Sequence, residues 1–188
     1  MVWLSTETGS SINNLRVVME NNFKELPRLK FGEAVRSNIS KIADINGRAR
    51  RSELWWNFLA YFIVSWVVGM VLSSSFLLQQ IVGLVLQLYI VAVTVRRLHD
   101  VGRSGWWVAM SYVISIVSLI YNQAAGISGT LSSANPNIDD LTSAISSPVF
   151  IILGIASLVV NIVILVFCLI NGKPAANKYG TSPKYVAE

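Results

Sequence analysis

Four blocks of apolar residues, each about long enough to cross a bilayer, constrain this chain more than any other feature. They run over about Leu54–Leu72, Leu77–Val95, Trp106–Tyr121 and Pro148–Ile170, and none contains a lysine or an arginine. All fifteen Lys and Arg lie before Leu54, between Val95 and Trp106, or after Ile170. A hydrocarbon core of ~30 Å needs roughly 20 helical residues. Inside it every backbone polar group must be satisfied within the structure, which a helix does by itself. The expected fold is therefore an all-α membrane protein, a four-helix transmembrane bundle. Composition agrees: 53% of the 188 residues are apolar and only 13% charged, where an average soluble domain carries about 25% charge.

The formal charge of +5 points to topology and away from nucleic acid, because the basic residues gather at the ends of the apolar blocks. The side rich in Lys and Arg faces the cytoplasm. That rule places the N-terminus, the central segment Arg96–Arg103 and the tail on the cytoplasmic side of the membrane. The link Ser73-Ser74-Ser75 and the loop 122–147, with Asp139 and Asp140, face out. The chain divides into an N-terminal extension with amphipathic helices (1–46), a four-span domain (47–172) and a cytoplasmic tail (173–188). Met1 to Ser11 is polar and lacks the apolar core of a signal peptide, so insertion is expected to rely on the first span. Cys168, the single cysteine, lies in the last apolar block and reads as a packing residue, with no metal-ligand spacing around it.

Before the first span, two stretches show helical periodicity. From an N-cap at Ser10 or Ser11, apolar Ile12, Leu15, Met19, Phe23 and Leu26 share one face, and Pro27 stops the pattern. Phe31, Val35, Ile39 and Ile42 form a second such face. Both helices are too short to span; they lie in the headgroup plane or pack on the cytoplasmic ends of the spans. Within the spans, Ser65, Gly69 and Ser73 recur every four residues, a stripe suited to helix–helix packing. Asn161 lies mid-span and is expected to bond to a neighbouring helix or another subunit, since lipid would leave its amide unpaired. Gln87, also deep, carries the same expectation.

Two basic clusters bracket the first pair of spans, and each ends in a Trp-Trp pair. One is Gly47-Arg48-Ala49-Arg50-Arg51-Ser52-Glu53-Leu54-Trp55-Trp56; the other is Arg96-Arg97-Leu98-His99-Asp100-Val101-Gly102-Arg103-Ser104-Gly105-Trp106-Trp107. These resemble the opening and central signatures of the bacterial inner-membrane family called domain of unknown function 805. Asn177-Lys178-Tyr179-Gly180-Thr181-Ser182-Pro183 is similar to its closing Asn-x-Tyr-Gly-x-x-Pro. The resemblance covers about Phe31 to Pro183. It departs where family tails often carry glycines and this chain has Ala175 and Ala176, and the first thirty residues read as an extension. It implies a small inner-membrane protein with cytoplasmic motifs and supplies no reaction.

The same charged residues admit three uses. An enzyme would rest on His99 as a proton carrier, with Arg97 and Arg103 holding a phosphate or carboxylate. Yet this is the sole histidine, and no nucleophile motif accompanies it. A metal site at His99, Asp100 and Asp44 is weaker still, so no metal and no cofactor are expected. A binding surface would use Arg48, Arg50, Arg51, Arg96, Arg97, His99, Asp100 and Arg103 against anionic lipid or a protein partner, each basic residue contributing roughly 1 kcal/mol at such a surface. That reading predicts that Arg50→Ala or Arg97→Ala weakens binding while the bundle stays folded. A structural reading pairs the arginines with Glu53 and Asp100 in a fixed turn, which accounts for Gly102 and Gly105. An oligomeric channel is the alternative class. The spans carry no ionisable group to mark an ion path, although the Ser65–Gly69–Ser73 stripe favours association into a homo-oligomer. The sequence thus favours a non-catalytic accessory or scaffold protein, then a transport component, then a lipid-headgroup enzyme.

Overall fold

The computed structural model describes residues 23–72, 76–126 and 138–187. Ser73 of the small-residue stripe, most of the expected first amphipathic helix and part of the loop 122–147 lie outside them. The described residues form six helices and a two-stranded ribbon, in two compact units. One holds the residues up to Arg103 together with those from Ile170 onward; the other runs from Ser104 to Leu169. Among the described residues, four helices are long and apolar enough to cross a membrane, as the sequence requires.

In the first unit, strand β1 (Phe23–Glu25) pairs antiparallel with β2 (Tyr185–Ala187). This corrects the expected helix through Phe23 and Leu26. Here the backbone finds its partners in the tail, Leu26 N–H donating to the Lys184 carbonyl at 2.9 Å. Pro27, which disfavours helical geometry in the residue before it, supports the extended form. Helix α1 (Phe31–Ile39) follows, its start fixed by the Glu33 carboxylate accepting the Lys30 N–H at 3.0 Å.

Helix α2 (Arg51–Val71) opens three residues before the apolar block. Arg51, Ser52 and Glu53 supply its first turn, where a carboxylate suits the helix dipole. Helix α3 (Phe76–Asp100) runs five residues beyond Val95, so the first five residues of the central motif are helical and not loop. Arg97 and His99 sit in its last turn, where cations are favoured. It ends in a Schellman turn: Arg103 N–H reaches the Leu98 carbonyl at 2.8 Å and Gly102 N–H that of His99 at 3.0 Å. Gly102 takes φ +77°, the left-handed geometry that such a turn needs and glycine adopts without strain. Helix α2 packs on α3, and α1 packs on both. Ala34, Ala49, Leu54, Ala92, Val93 and Leu98 are buried there. Farther along, Phe62, Trp66, Leu84 and Leu88 are exposed, a surface suited to lipid and not to water.

The second unit contains α4 (Trp106–Ala124), α5 (Ile138–Ile145) and α6 (Pro148–Leu169). Helix α4 extends three residues past Tyr121, and α5 occupies part of the loop expected over 122–147. Trp107 meets Phe167 edge-on at 5.8 Å, and the Tyr121 hydroxyl bonds to Ser147, so α4 and α6 run antiparallel. Ser147 caps α6 by accepting the Phe150 N–H at 3.2 Å, and Pro148 takes the first helical position, where its missing N–H costs nothing. Asn161 Nδ2 donates within its own helix, to the Ser157 carbonyl at 2.8 Å and hydroxyl at 3.3 Å, on an exposed face of α6. Gln87 lies on an exposed face of α3. A methyl group added at Gly69 would meet nothing within 4 Å, so no neighbour among the described residues closes on that position.

Candidate functional site

Of the charged residues of the two basic clusters, all but Arg51 and Arg103 are withdrawn from solvent. Arg48, Arg50, Arg96, Arg97, His99 and Asp100 are all buried at the charged end of the first unit. Three sequence segments meet there: Gly47–Arg50 before α2, the last two turns of α3, and the tail from Ile170 to Ser182.

Asp100 is the pivot. Its carboxylate accepts from Arg48 Nε at 2.9 Å and, through its other oxygen, from Arg97 Nη1. The rest of each guanidinium goes to backbone carbonyls. Arg48 donates to Lys173 at 2.6 Å, Ala175 at 3.0 Å and Gly180 at 3.2 Å, so one side chain holds three points of the tail. Arg97 reaches the Ala49 carbonyl at 3.3 Å and also that of Ile170. Planar guanidinium with five donors suits such work, which a lysine ammonium cannot copy. Gly172 lies so close that a Cβ there would overlap the Asp100 carboxylate; this is the close approach that demands glycine.

The closing motif has its own mechanics. Asn177 and Gly180 exchange backbone hydrogen bonds at 3.0 and 2.9 Å, and Asn177 Oδ1 accepts the Tyr179 N–H at 2.8 Å. That tight turn presents Asn177 Nδ2 to the His99 carbonyl at 2.8 Å. It also lays the Tyr179 ring flat on the His99 imidazole, 3.7 Å between centroids and 4° between planes. His99 Nδ1 meets the Gly47 carbonyl at 3.2 Å, which fixes it as the donor. The histidine thus joins all three segments.

Arg50 and Arg96 serve neighbouring joints. Arg50 donates to the carbonyls of Pro27 at 2.7 Å, Leu26 at 3.1 Å and Lys184 at 3.4 Å, tying the ribbon to the start of α2. Lys184 Nζ lies 2.9 Å from the Tyr185 hydroxyl and 3.1 Å from the Glu25 carboxylate; the hydroxyl first, and then Glu25, raise its pKa above the ordinary lysine value. Arg96 donates to Asn38 Oδ1 and lies 3.9 Å from Glu53, while its Nη1 has no hydrogen-bond partner among the described residues. Around it Asn38 donates to the Tyr89 carbonyl at 3.1 Å, Asn57 to the Ala34 carbonyl at 3.1 Å, and Tyr89 to Asn57. These polar contacts fasten α1 to α2 and α3.

Of the expected site residues, then, six converge, and Arg51 and Arg103 lie exposed beside them. Ser65 and Gly69 lie farther along α2, away from this cluster, and Asn161 belongs to the second unit. Asn38, Asn57, Tyr89, Gly172, Asn177 and Tyr179 complete the arrangement without having been singled out. For Asn177 and Tyr179 the signal was present in the closing motif. For Asn38, in a short amphipathic helix, and Tyr89, in an apolar run, none was.

A family model described as "Protein of unknown function (DUF805)" matches residues 42–181. It covers Gly47–Arg50, the end of α3 and all of the tail segment but Ser182, the three segments that close on one another as a clasp. The chain belongs to the DUF805 family. Among curated relatives it is similar to the Escherichia coli K12 inner membrane protein YhaH, 34% identical over 95 residues, 44% of this chain and 78% of the relative. It is also similar to inner membrane protein YhaI of the same strain, 32% identical over 108 residues, 50% of this chain and 86% of the relative. No solved structure matches. In this DUF805 chain the matched stretch starts after α1, so the ribbon strand β1 and helix α1 lie before it.

Proposed function

We propose that this DUF805 protein is a non-catalytic accessory or scaffold protein of the bacterial inner membrane, with both termini cytoplasmic, whose basic face binds anionic lipid headgroups or an acidic protein partner. One observation carries the reading. The motif charges are spent on internal carbonyls and on Asp100, which makes that end of the first unit a preformed platform and not an open catalytic cleft. A buried carboxylate flanked by two guanidinium groups stabilises one arrangement of three segments. The residues left on the outside of this platform are strongly basic: Arg51, Arg103, Lys173 and Lys178 are exposed. Each adds roughly 1 kcal/mol beside an anionic bilayer surface. Binding by the buried Arg48, Arg50, Arg96, Arg97, His99 and Asp100 would require the tail to leave first, so the exposed set is the contact surface.

The test is native mass spectrometry of the protein extracted from its own membrane in mild detergent. Wild type should retain an anionic lipid or a protein partner, and the combined Arg51→Ala, Arg103→Ala, Lys173→Ala and Lys178→Ala variant should lose it while keeping its thermal midpoint. Retention by both, or by neither, contradicts the reading. A bare closed ring that passes solute in liposomes would replace it with the transport alternative.

A further inference from the structure

We propose that α1 is an interfacial helix, its Phe31, Val35 and Ile39 stripe lying in the bilayer at the boundary of headgroups and acyl chains. The inference deepens the proposed lipid contact and rests on it for the identity of the headgroups, not for the insertion itself. Helix α1 packs by the wrong face for a helix resting on a soluble surface. Ala34 and Asn38 are fully buried, whereas Phe31 is 42% and Ile39 58% exposed. A helix whose surroundings were water would turn its apolar stripe inward. Here a polar residue, Asn38, is inside, and the apolar stripe lies about a quarter-turn round from the buried face, with Val35 half-buried and Phe31 and Ile39 exposed.

The depth of α1 says what the stripe meets. Asn57 bonds to it six residues after the start of α2, ~9 Å along the axis at 1.5 Å per residue. Asn38 bonds to Tyr89, eleven residues before the end of α3, ~16 Å by the same measure. Helix α1 therefore lies alongside the two spans and not beyond their ends. From about Ala92 to Asp100, α3 is buried by protein, while Leu84, Val85 and Leu88 just before Tyr89 are exposed as lipid-facing residues are. The α1 contact sits at that change of surroundings.

Phe31 meets the Trp56 ring edge-on at 5.7 Å, and Trp56 Nε1 donates to the Leu29 carbonyl at 3.0 Å. Trp55 and Trp56 are exposed at the start of α2, the position at which tryptophan anchors a span to the interface. The α1 stripe continues that belt, with Ile42 exposed beyond it. Arg28, Lys30, Arg36 and Lys41 are exposed around the helix, the charge that an anionic bilayer surface attracts. The occupant that fits a stripe continuous with a lipid-facing tryptophan belt and rimmed by cations is the bilayer.

The experiment uses the full chain with Cys168→Ser and a single environment-sensitive fluorophore at Ile39→Cys or Glu33→Cys, reconstituted in phosphatidylcholine vesicles with and without phosphatidylglycerol. Lipids spin-labelled high on the acyl chain should quench the probe at 39 several-fold more than at 33, and iodide should do the reverse. Equal lipid quenching at both positions overturns the proposal. So does a probe at 39 shielded from both quenchers, which would mean that a second protein surface covers it. Strong quenching at 39 that is indifferent to phosphatidylglycerol supports insertion of α1 while removing the anionic-headgroup reading.

Discussion

Asp100 holds two guanidinium groups out of water, so its removal leaves both uncompensated. Asp100→Asn should cost ~3–5 kcal/mol, the range for breaking a buried ion pair by deleting one partner, read as a large fall in thermal midpoint in detergent. Gly172→Ala should do nearly as much harm, because the new methyl falls on the Asp100 carboxylate. Gly32→Ala, in open space on a helix, should instead stabilise slightly, by ~0.5–1 kcal/mol of helix propensity. The same geometry reverses what a binding surface would predict for Arg50→Ala and Arg97→Ala: each frees several backbone carbonyls and should lower stability. The identities of the clasp arginines were legible in the two basic clusters. Their burial was not, because basic residues beside apolar blocks are what span ends look like in any membrane protein, and the carbonyls they hold lie as far as 134 positions away in sequence.

At the scale of elements, the extra turns of α3 bring Arg96, Arg97 and His99 onto one rigid rod, and Gly102 fixes where that rod stops. Gly102→Ala should cost ~1–2 kcal/mol for placing a Cβ in left-handed geometry, measured by chemical or thermal unfolding. The ribbon offers a pH test. Lys184 is held protonated by Tyr185 and Glu25, so its contribution is present in full below the ordinary lysine pKa and fades as pH rises through the raised folded value. Backbone amides of β1 and β2 should therefore lose protection from hydrogen exchange at strongly alkaline pH before α2 and α3 do, once the intrinsic rate is corrected for pH. The spans were legible because apolar length is a direct consequence of bilayer thickness. The strand at Phe23–Glu25 was not, because its partner lies at the far end of the chain and local periodicity there fits a helix as well. Helix α3 runs five residues past its apolar block because protein, not lipid, surrounds its last turns, which hydropathy alone does not show.

For the whole molecule, four apolar helices make a membrane protein of the DUF805 family, and the three family motifs fold onto one another as a clasp at the charged end of one unit. Sequence could quote each motif but not their meeting, which depends on chain ends brought together across the first pair of spans. The most direct measurement is hydrogen exchange by mass spectrometry on the protein reconstituted in vesicles, comparing wild type with Arg48→Ala. The tail turn at Asn177 and Gly180 should be protected in wild type and exchange at nearly the unfolded rate in the variant, with α4 and α6 unchanged. A wild-type tail that already exchanges freely, or a tail equally protected without Arg48, would contradict the clasp.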